Sequence, residues 1–90
     1  MAVEVRIPTI LRTYTAGAKV VNGEGETLAQ VIDSVEDGHP GLKERLVEGG
    51  GLRRFVNVYV NDEDVRFLSG LDTAVDDGDV VVVLPAVAGG

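Results

Sequence analysis

Residues 27–35 read TLAQVIDSV, and this stretch predicts the main helix of the fold. Thr27 and Gln30 have the spacing of a capping box, in which side chains of the first turn accept hydrogen bonds from free backbone N–H groups. Gly38 is a natural end to the helix, and Pro40 prevents its continuation. Four aliphatic residues follow the i, i+3, i+4, i+7 spacing of a single helical face: Leu28, Val31, Ile32 and Val35. That face has to be buried against other elements.

Strand patterns lie on both sides of this helix. Segments with alternating or continuous apolar residues occur at residues 3–7, 19–21, 55–60, 65–68 and 80–84. The alternation in residues 3–7 predicts a half-buried strand, and Pro8 closes it. Residues 80–84 are apolar throughout, which is typical of a strand that is buried or covered by a partner on both faces, and Pro85 ends that strand.

Glycine-rich and apolar stretches divide the remaining sequence. Asn22-Gly23 predicts a turn after the second strand, because this dipeptide is a strong turn signal. Leu42 and Leu46 lie on one side of a short helical turn or two. Gly49-Gly50-Gly51 then predicts a flexible joint before the second half of the chain, which is β.

The element order ββαβ(β)β predicts an α+β fold. The simplest arrangement is a mixed sheet of four or five strands wrapped around one main helix, which is the β-grasp or ubiquitin-like architecture. We expect an antiparallel opening hairpin and a parallel pairing of the first and last strands at the centre of the sheet. The β-grasp domain spans residues 1–84, and residues 85–90 form an extended, flexible C-terminal tail that ends in Gly-Gly.

Composition restricts the location and the partners of this domain. The 90 residues suffice for one domain, and 15 acidic against eight basic residues give a net charge of −7. Nucleic acid and anionic membranes bind positively charged proteins, so we expect neither of them as a partner of this acidic chain. The acidic side chains either form a surface that binds a basic partner protein or merely keep the protein soluble. No signal peptide, membrane-spanning run or cysteine is present, so we expect a cytoplasmic protein without disulfides.

No residue pattern predicts catalysis or a metal site. His39 is the only histidine, and its neighbours are typical of a loop. Neither Ser34 nor Ser69 lies in a nucleophile elbow. The acidic runs at residues 61–64 and 76–79 lack the ligand order of an EF-hand and predict polar turns. We therefore expect no enzymatic activity, no metal and no cofactor bound by this chain.

The C-terminus is the part of the sequence that the domain does not explain. Residues 85–90 read PAVAGG, a smooth arm directly after the last strand. Because glycine lacks a Cβ, such an arm fits a channel too narrow for other residues. Gly90 carries an ionised α-carboxylate, which becomes a reactive acyl group once a partner enzyme adenylates it. A sulfur donor then converts this acyl group to a thiocarboxylate, so the pattern predicts a carrier whose partners supply the catalysis.

Four stretches also carry a family resemblance. They are residues 3–11 (VEVRIPTIL), 55–67 (FVNVYVNDEDVRF), 70–73 with Asp77-Gly78-Asp79, and 85–90 (PAVAGG). Together they resemble the MoaD/ThiS family of ubiquitin-fold sulfur carriers, most closely the CysO type associated with cysteine synthesis. Gly-Gly is common to all such carriers, whereas residues 55–67 and 85–90 carry the CysO-like assignment.

The resemblance implies a set of partners. An E1-like adenylating enzyme that uses ATP and magnesium would activate Gly90, and a rhodanese-type domain or another donor would supply sulfur. The consuming enzyme would be a PLP-dependent cysteine synthase or a thiosugar-type synthase, and a zinc metalloprotease would release the cysteine adduct. ATP, PLP and zinc belong to those partners. The residues that would enter partner active sites are Pro85, Ala86, Val87, Ala88 and Gly89.

A docking surface is predicted on residues 55–60. If alternate valines face the helix, then Phe55, Asn57 and Tyr59 face outward, and two aromatic residues beside an amide suit a partner contact. The alternative is ordinary cross-strand packing on the outer face.

Two other functions use the same tail. A ubiquitin-like modifier would join Gly90 to lysines of other proteins. An interaction subunit would insert the tail into a partner without covalent change.

Overall fold

The first and last strands of the chain lie side by side in the sheet. The computed structural model describes residues 2–85. In chain order the strands are β1 (Ala2–Arg6), β2 (Val20–Glu24), β3 (Val47–Glu48), β4 (Gly51–Leu52), β5 (Val56–Val60), β6 (Glu63–Asp64) and β7 (Val80–Pro85), and the α-helices are α1 (Leu28–Gly38) and α2 (Leu42–Leu46). Short 3₁₀ helices occupy Thr9–Thr15, Val65–Phe67 and Gly70–Asp72.

The main sheet has the strand order β2-β1-β7-β5-β6. β1 and β7 pair in parallel, with Val5 opposite Val81. The other pairings of this sheet are antiparallel, including the opening hairpin of β1 and β2. The predicted α+β, β-grasp architecture is confirmed, as is the parallel pair of first and last strands at its centre.

The helix α1 covers one face of this sheet. Its four predicted core residues are buried, and they pack with the inward residues of the strands. The strand residues in this cluster are Val3, Val5, Val21, Val56, Val58, Val60, Val81 and Val83. Because each such aliphatic side chain contributes about 1.5–3 kcal/mol when fully buried, this layer of helix on sheet is the main source of stability.

Side-chain hydrogen bonds of Thr27 and Gln30 fix the start of α1. Thr27 Oγ1 accepts a hydrogen bond from the N–H of Gln30 at 3.3 Å, as predicted. The Gln30 side chain accepts from the N–H of Glu26 at 2.7 Å, which is one residue earlier than a capping box requires. The helix ends at Gly38, also as predicted.

The predicted turn at Asn22-Gly23 is wrong, because β2 continues through both residues to Glu24. Gly23 lies opposite Val3 in β1 and faces α1. A Cβ at this position would lie 2.9 Å from the side chain of Val31, well inside van der Waals contact. Glycine therefore permits strand and helix to approach closely here, and it does not reverse the chain.

The predicted flexible joint at Gly49-Gly50-Gly51 is instead a hairpin, in which Gly49 and Gly50 form a tight turn between β3 and β4. Gly49 and Gly50 have φ values of 60° and 80°, the left-handed conformations of a type I′ turn. Gly51 already belongs to β4. The helical turn predicted just before it is confirmed as α2, in which Leu42 and Leu46 are buried.

The sequence predicts a strand at residues 65–68, but Val65–Phe67 form a 3₁₀ turn. The carboxylate of Asp64 accepts a hydrogen bond from the N–H of Arg66 at 2.9 Å and thereby caps this turn. The local hydrogen bond offers the backbone an alternative to strand pairing. As a consequence Phe67 is 87% exposed.

The strand β7 is fully covered on one face only. Val81 and Val83 are buried beneath α1, whereas Val80 and Val82 are half-buried and Leu84 is exposed. The outer face of this strand is therefore not buried within the chain, and its cover by a partner protein stays a prediction. Within the sheet, β7 lies between β1 and β5.

Candidate functional site

The strand β7 delivers the C-terminal tail to one end of the sheet. Pro85, predicted as the first residue of the tail, is the last residue of β7 and pairs with Val56 of β5. The other predicted tail residues lie outside the described residues: Ala86, Val87, Ala88, Gly89 and Gly90. Five residues reach about 17 Å at most. A partner that holds Gly90 therefore has to lie close to this end of the domain.

A groove of about 500 Å³ opens beside Pro85, and we call it the tail-base groove. Its exposed apolar lining includes Ile10 and Phe55, which are 66% and 63% exposed. Val56 and Val83 line it from the core, where both are buried. Its volume lies within the range of sites that hold ligands or side chains. Exposed apolar residues beside a concave surface are typical of interaction sites.

The 3₁₀ helix Thr9–Thr15 brings Ile10 to the groove. The same helix is anchored in the core through Leu11 and Thr15, both of which are buried, and Leu11 also lines the groove. The Thr15 hydroxyl donates a hydrogen bond to the carbonyl of Ala18 at 2.8 Å, so this buried polar group is satisfied. The sequence does not predict this element, because its apolar residues follow neither a helical nor a strand period.

Two arginines line the tail-base groove, although the chain has a net charge of −7. Arg45 Nε donates to the Tyr14 hydroxyl at 2.7 Å, and the guanidinium lies 5.5 Å from the centre of the Tyr14 ring. Arg53 Nε donates to the carbonyl of Glu44 at 2.6 Å, and Arg53 Nη1 lies 3.4 Å from the Glu48 carboxylate. Within the described part of the chain, Arg45 has no carboxylate at ion-pair distance.

The residues predicted as one docking surface divide between two places. Phe55 lines the tail-base groove, whereas Tyr59 lines a separate depression of about 230 Å³ with Leu84. Asn57 is half-buried, and its side-chain oxygen Oδ1 accepts a hydrogen bond from Arg66 Nη1 at 2.7 Å. Arg66 is therefore a structural partner of this strand that sequence reasoning missed. Nothing in its local sequence distinguishes it from a solvated charge.

The residues considered for catalysis have ordinary structural positions. Ser34 Oγ accepts a hydrogen bond from the N–H of Glu24 at 3.0 Å, and Ser69 is exposed. His39 is half-buried and directly follows α1. Within residues 2–85, no three His, Cys, Asp or Glu side chains lie close enough together to hold a metal ion.

The two acidic turns are joined by a hydrogen bond. The Asn61 side chain and, secondarily, the backbone N–H of Asp76 hydrogen-bond to the Asp79 carboxylate and lower its pKa. The bond from Asp76 measures 2.8 Å. Asn61 also accepts from the N–H of Val80 at 3.0 Å, which aligns the start of β7. Asn61-Asp62 and Asp77-Gly78 form turns, as predicted, whereas Glu63 and Asp64 belong to β6 because they pair with β5.

Comparison with known proteins identifies the family of this β-grasp domain. A model of the ThiS family matches residues 5–90. The chain belongs to the ThiS family. It is 57% identical to the sulfur carrier protein CysO of Mycobacterium tuberculosis over 93 residues, which cover 100% of both chains. It is 47% identical over 64 residues to small archaeal modifier protein 3 of Haloferax volcanii, covering 71% of this chain and 70% of that relative.

A solved structure of a ThiS-family relative has nearly the same fold. The crystal structure of the BexX/CysO complex of Amycolatopsis orientalis contains a chain with 59% identity and a TM-score of 0.94, and the match covers 98% of this chain and 99% of that one. The predicted family and ubiquitin-like fold are confirmed. The predicted function of sulfur carrier is confirmed at the level of these full-length relatives. In the described residues, no helix has the length and apolar character needed to cross a membrane.

Proposed function

We propose that this chain carries sulfur as a thiocarboxylate on Gly90, in the manner of CysO. The single observation that supports this most strongly is the full-length similarity to the sulfur carrier protein CysO, with 57% identity. The position of β7 agrees with it, because Pro85 is held in the sheet by pairing with Val56 and the tail begins beyond a fixed point. A fixed starting point reduces the entropy that a partner must remove when it orders the tail.

The loading chemistry requires two bond exchanges at the terminal carbonyl. A carboxylate oxygen of Gly90 attacks the α-phosphorus of ATP, and pyrophosphate leaves. Sulfide (HS⁻) then attacks the acyl carbon of the adenylate, AMP leaves with the oxygen that joined it to the chain, and the sulfide proton passes to solvent. The product is the thiocarboxylate. An E1-like enzyme with ATP and magnesium performs these steps, and this chain supplies the acyl group and the docking surface.

The unloading chemistry belongs to a second partner. We propose a biosynthetic enzyme that accepts the sulfur, either a PLP-dependent cysteine synthase or a thiosugar-type synthase, followed in the first case by a zinc metalloprotease that frees the cysteine. ATP, magnesium, PLP and zinc are held by these enzymes, and this chain binds none of them. The Amycolatopsis relative assembles with BexX, and we propose that this chain also works in complex with a partner protein, in the cytoplasm.

Intact-mass analysis tests this function. The full chain is incubated with an E1-like adenylating enzyme, ATP, magnesium and a sulfide source. We expect a mass gain equal to the exchange of one oxygen for sulfur, dependent on ATP. A variant lacking Gly90 is the control and should gain nothing. An unchanged mass for the wild-type chain in the presence of an enzyme that loads CysO would contradict the proposal.

Protein modification is the second candidate function, because the chain is 47% identical over 64 residues to small archaeal modifier protein 3. The same acyl-adenylate would then react with a lysine amine of another protein. Expression of the tagged chain in its host should give covalent adducts that resist denaturation and disappear when Gly90 is deleted. If no such adducts form and the sulfur exchange above is observed, the modifier function is excluded and the carrier function is supported.

A further inference from the structure

We propose that the tail-base groove docks one apolar side chain and a neighbouring carboxylate of the partner protein that holds the tail. The inference rests on the proposed function, since it concerns the partner that loads or unloads Gly90. It names the surface of this chain that the partner recognises and the chemistry of the matching surface.

The position of the groove is the first argument. Pro85 lines the groove and is also the last residue of β7. From Pro85 to Gly90 the chain reaches about 17 Å at most. The domain itself measures 35 × 30 × 24 Å. A protein that encloses Gly90 therefore faces the end of the domain where the groove opens.

The apolar lining is the second argument. Ile10 and Phe55 are two of the three most exposed large hydrophobic residues among those described, and both line the groove. Both leave water only if a partner covers them. The groove is concave and has buried Val56 and Val83 behind it, so an inserted apolar side chain would contact the protein on several sides.

Charge is the third argument, and it restricts the partner. Arg45 and Arg53 line the groove, and its described lining contains no aspartate or glutamate. Arg45 is held against Tyr14 by a hydrogen bond of 2.7 Å, which fixes the guanidinium without neutralising it. A partner carboxylate beside the apolar side chain would complete this arrangement, whereas a basic side chain would be repelled.

The depression on the outer face offers a contrast. Tyr59, Val82 and Leu84 line it, and its charged member is Asp62. That surface would not attract a carboxylate. The two surfaces therefore predict different partners, and substitutions can distinguish them.

Calorimetric titration of the full chain with purified BexX of Amycolatopsis orientalis tests the proposal. Phe55→Ala should raise the Kd about thirtyfold, as expected for an aromatic residue at the centre of an interface. The matched control is Phe67→Ala, since Phe67 is 87% exposed and lies outside the groove. Its Kd should stay within about twofold of the wild-type value, as expected for a residue outside the contact.

The charge is tested with Arg45→Gln against Arg54→Gln, because Arg54 is exposed and does not line the groove. Arg45→Gln should raise the Kd about tenfold at low salt and make binding less salt-dependent. Ile10→Ala provides a second apolar variant, and circular dichroism confirms that each variant is folded.

Three results would overturn the inference: wild-type affinity for Phe55→Ala and Ile10→Ala, equal losses for Phe67→Ala, or a wild-type chain that does not bind BexX. None of them bears on the mass exchange at Gly90. A failed docking experiment is therefore distinguishable from a failure of the proposed function.

Discussion

At the scale of single residues, a substitution at Gly23 tests whether the close approach of β2 and α1 requires a residue without a side chain. An added Cβ would lie 2.9 Å from the Val31 side chain and carbonyl oxygen and 2.9 Å from the Val35 side chain. Because backbone is among these atoms, a rotamer change alone does not relieve the contact. We expect Gly23→Ala to lower the free energy of unfolding by about 1–3 kcal/mol, the usual cost of overpacking. Urea denaturation measures this difference.

Gly51→Ala is the matched control for this substitution. Gly51 also lies in a strand, and a Cβ there would have no described atom within 4 Å. Its stability should change little, because only a crowded site penalises the added methyl group. If both variants lose the same stability, the effect comes from strand glycines in general, and the close approach is not its cause.

Arg66 is a second residue whose importance lies in specific contacts. Its Nη1 donates to Asn57 Oδ1 at 2.7 Å and its Nη2 to the carbonyl of Val56 at 2.8 Å. A lysine cannot reproduce both bonds with the geometry of a guanidinium. Arg66→Lys should therefore cost about 1 kcal/mol of unfolding free energy. Arg54→Lys is the control and should leave the urea midpoint unchanged, because it alters no described side-chain hydrogen bond. If both variants shift the urea midpoint equally, the two guanidinium hydrogen bonds of Arg66 are not the cause.

The sequence predicts the role of residues that belong to a repeating apolar pattern. It misses residues whose role depends on contact with particular residues elsewhere in the chain. Leu28 and Val31 were placed in the core by helical spacing alone, and both are buried. Gly23 and Arg66 have no such signal. A glycine selected for close approach resembles a glycine selected for a turn, and the Arg66 contacts reach residues nine and ten positions away.

At the scale of elements, Glu36 joins α1 to α2. Its carboxylate accepts hydrogen bonds from the N–H of Lys43 at 2.8 Å and from the N–H of Gly41 at 3.1 Å. These bonds, that from Lys43 first, lower the pKa of Glu36 from its ordinary value of 4.5. Since the folded-state pKa lies below the unfolded one, the stabilisation is fully present above pH 4.5 and is lost as the pH falls through the folded value.

Replacement of this carboxylate should therefore have a pH-dependent effect. Glu36→Gln should unfold at a lower urea concentration than the wild-type chain at pH 7, and the two midpoints should converge as the solution is acidified below the folded pKa. Glu44→Gln is the control, because the Glu44 side chain accepts no described hydrogen bond, and it should show no such convergence. A constant difference for Glu36→Gln at every pH would show that the charge is not involved.

Long elements were predicted better than short ones for a physical reason. The helix α1 and the strand β5 repeat their apolar pattern over enough residues to define a face, and both are correct. The segment Val65–Phe67 contains two apolar residues in three, but a hydrogen bond to Asp64 decides its conformation. In this short segment, one side-chain hydrogen bond outweighs the strand propensity of the apolar residues.

At the scale of the whole molecule, the candidate site was only partly predictable. The tail follows from the printed sequence, and its attachment to the last strand follows from the β-grasp topology. The tail-base groove does not, because residues far apart in sequence form it: Ile10, Arg45, Phe55 and Pro85. Each of these belongs to a different segment, and only the folded chain brings them together. The docking surface predicted from strand alternation alone therefore included Phe55 but combined it with residues from another surface.

Five residues follow Pro85 at the groove, so the length of the tail should decide whether Gly90 reaches the reacting atoms of the partner. If the groove docks the partner, then Gly90 must reach the partner's reacting atoms from a fixed origin at Pro85. Deletion of Ala88 keeps Gly89 and Gly90 but shortens the reach by about 3.4 Å. A displacement of even 1 Å can cost a hundredfold in rate, so we expect kcat for adenylate formation to fall by about that factor while KM changes little.

Ala88→Ser is the control for this deletion, because it changes the side chain and preserves the length. Pyrophosphate release measures both variants with the same E1-like enzyme. The serine variant should retain most of the wild-type kcat, since a small side chain still suits a narrow channel. Equal rates for the shortened and the wild-type chain would mean that the domain is not held at a fixed distance, and docking would then contribute affinity without positioning the terminal glycine for reaction.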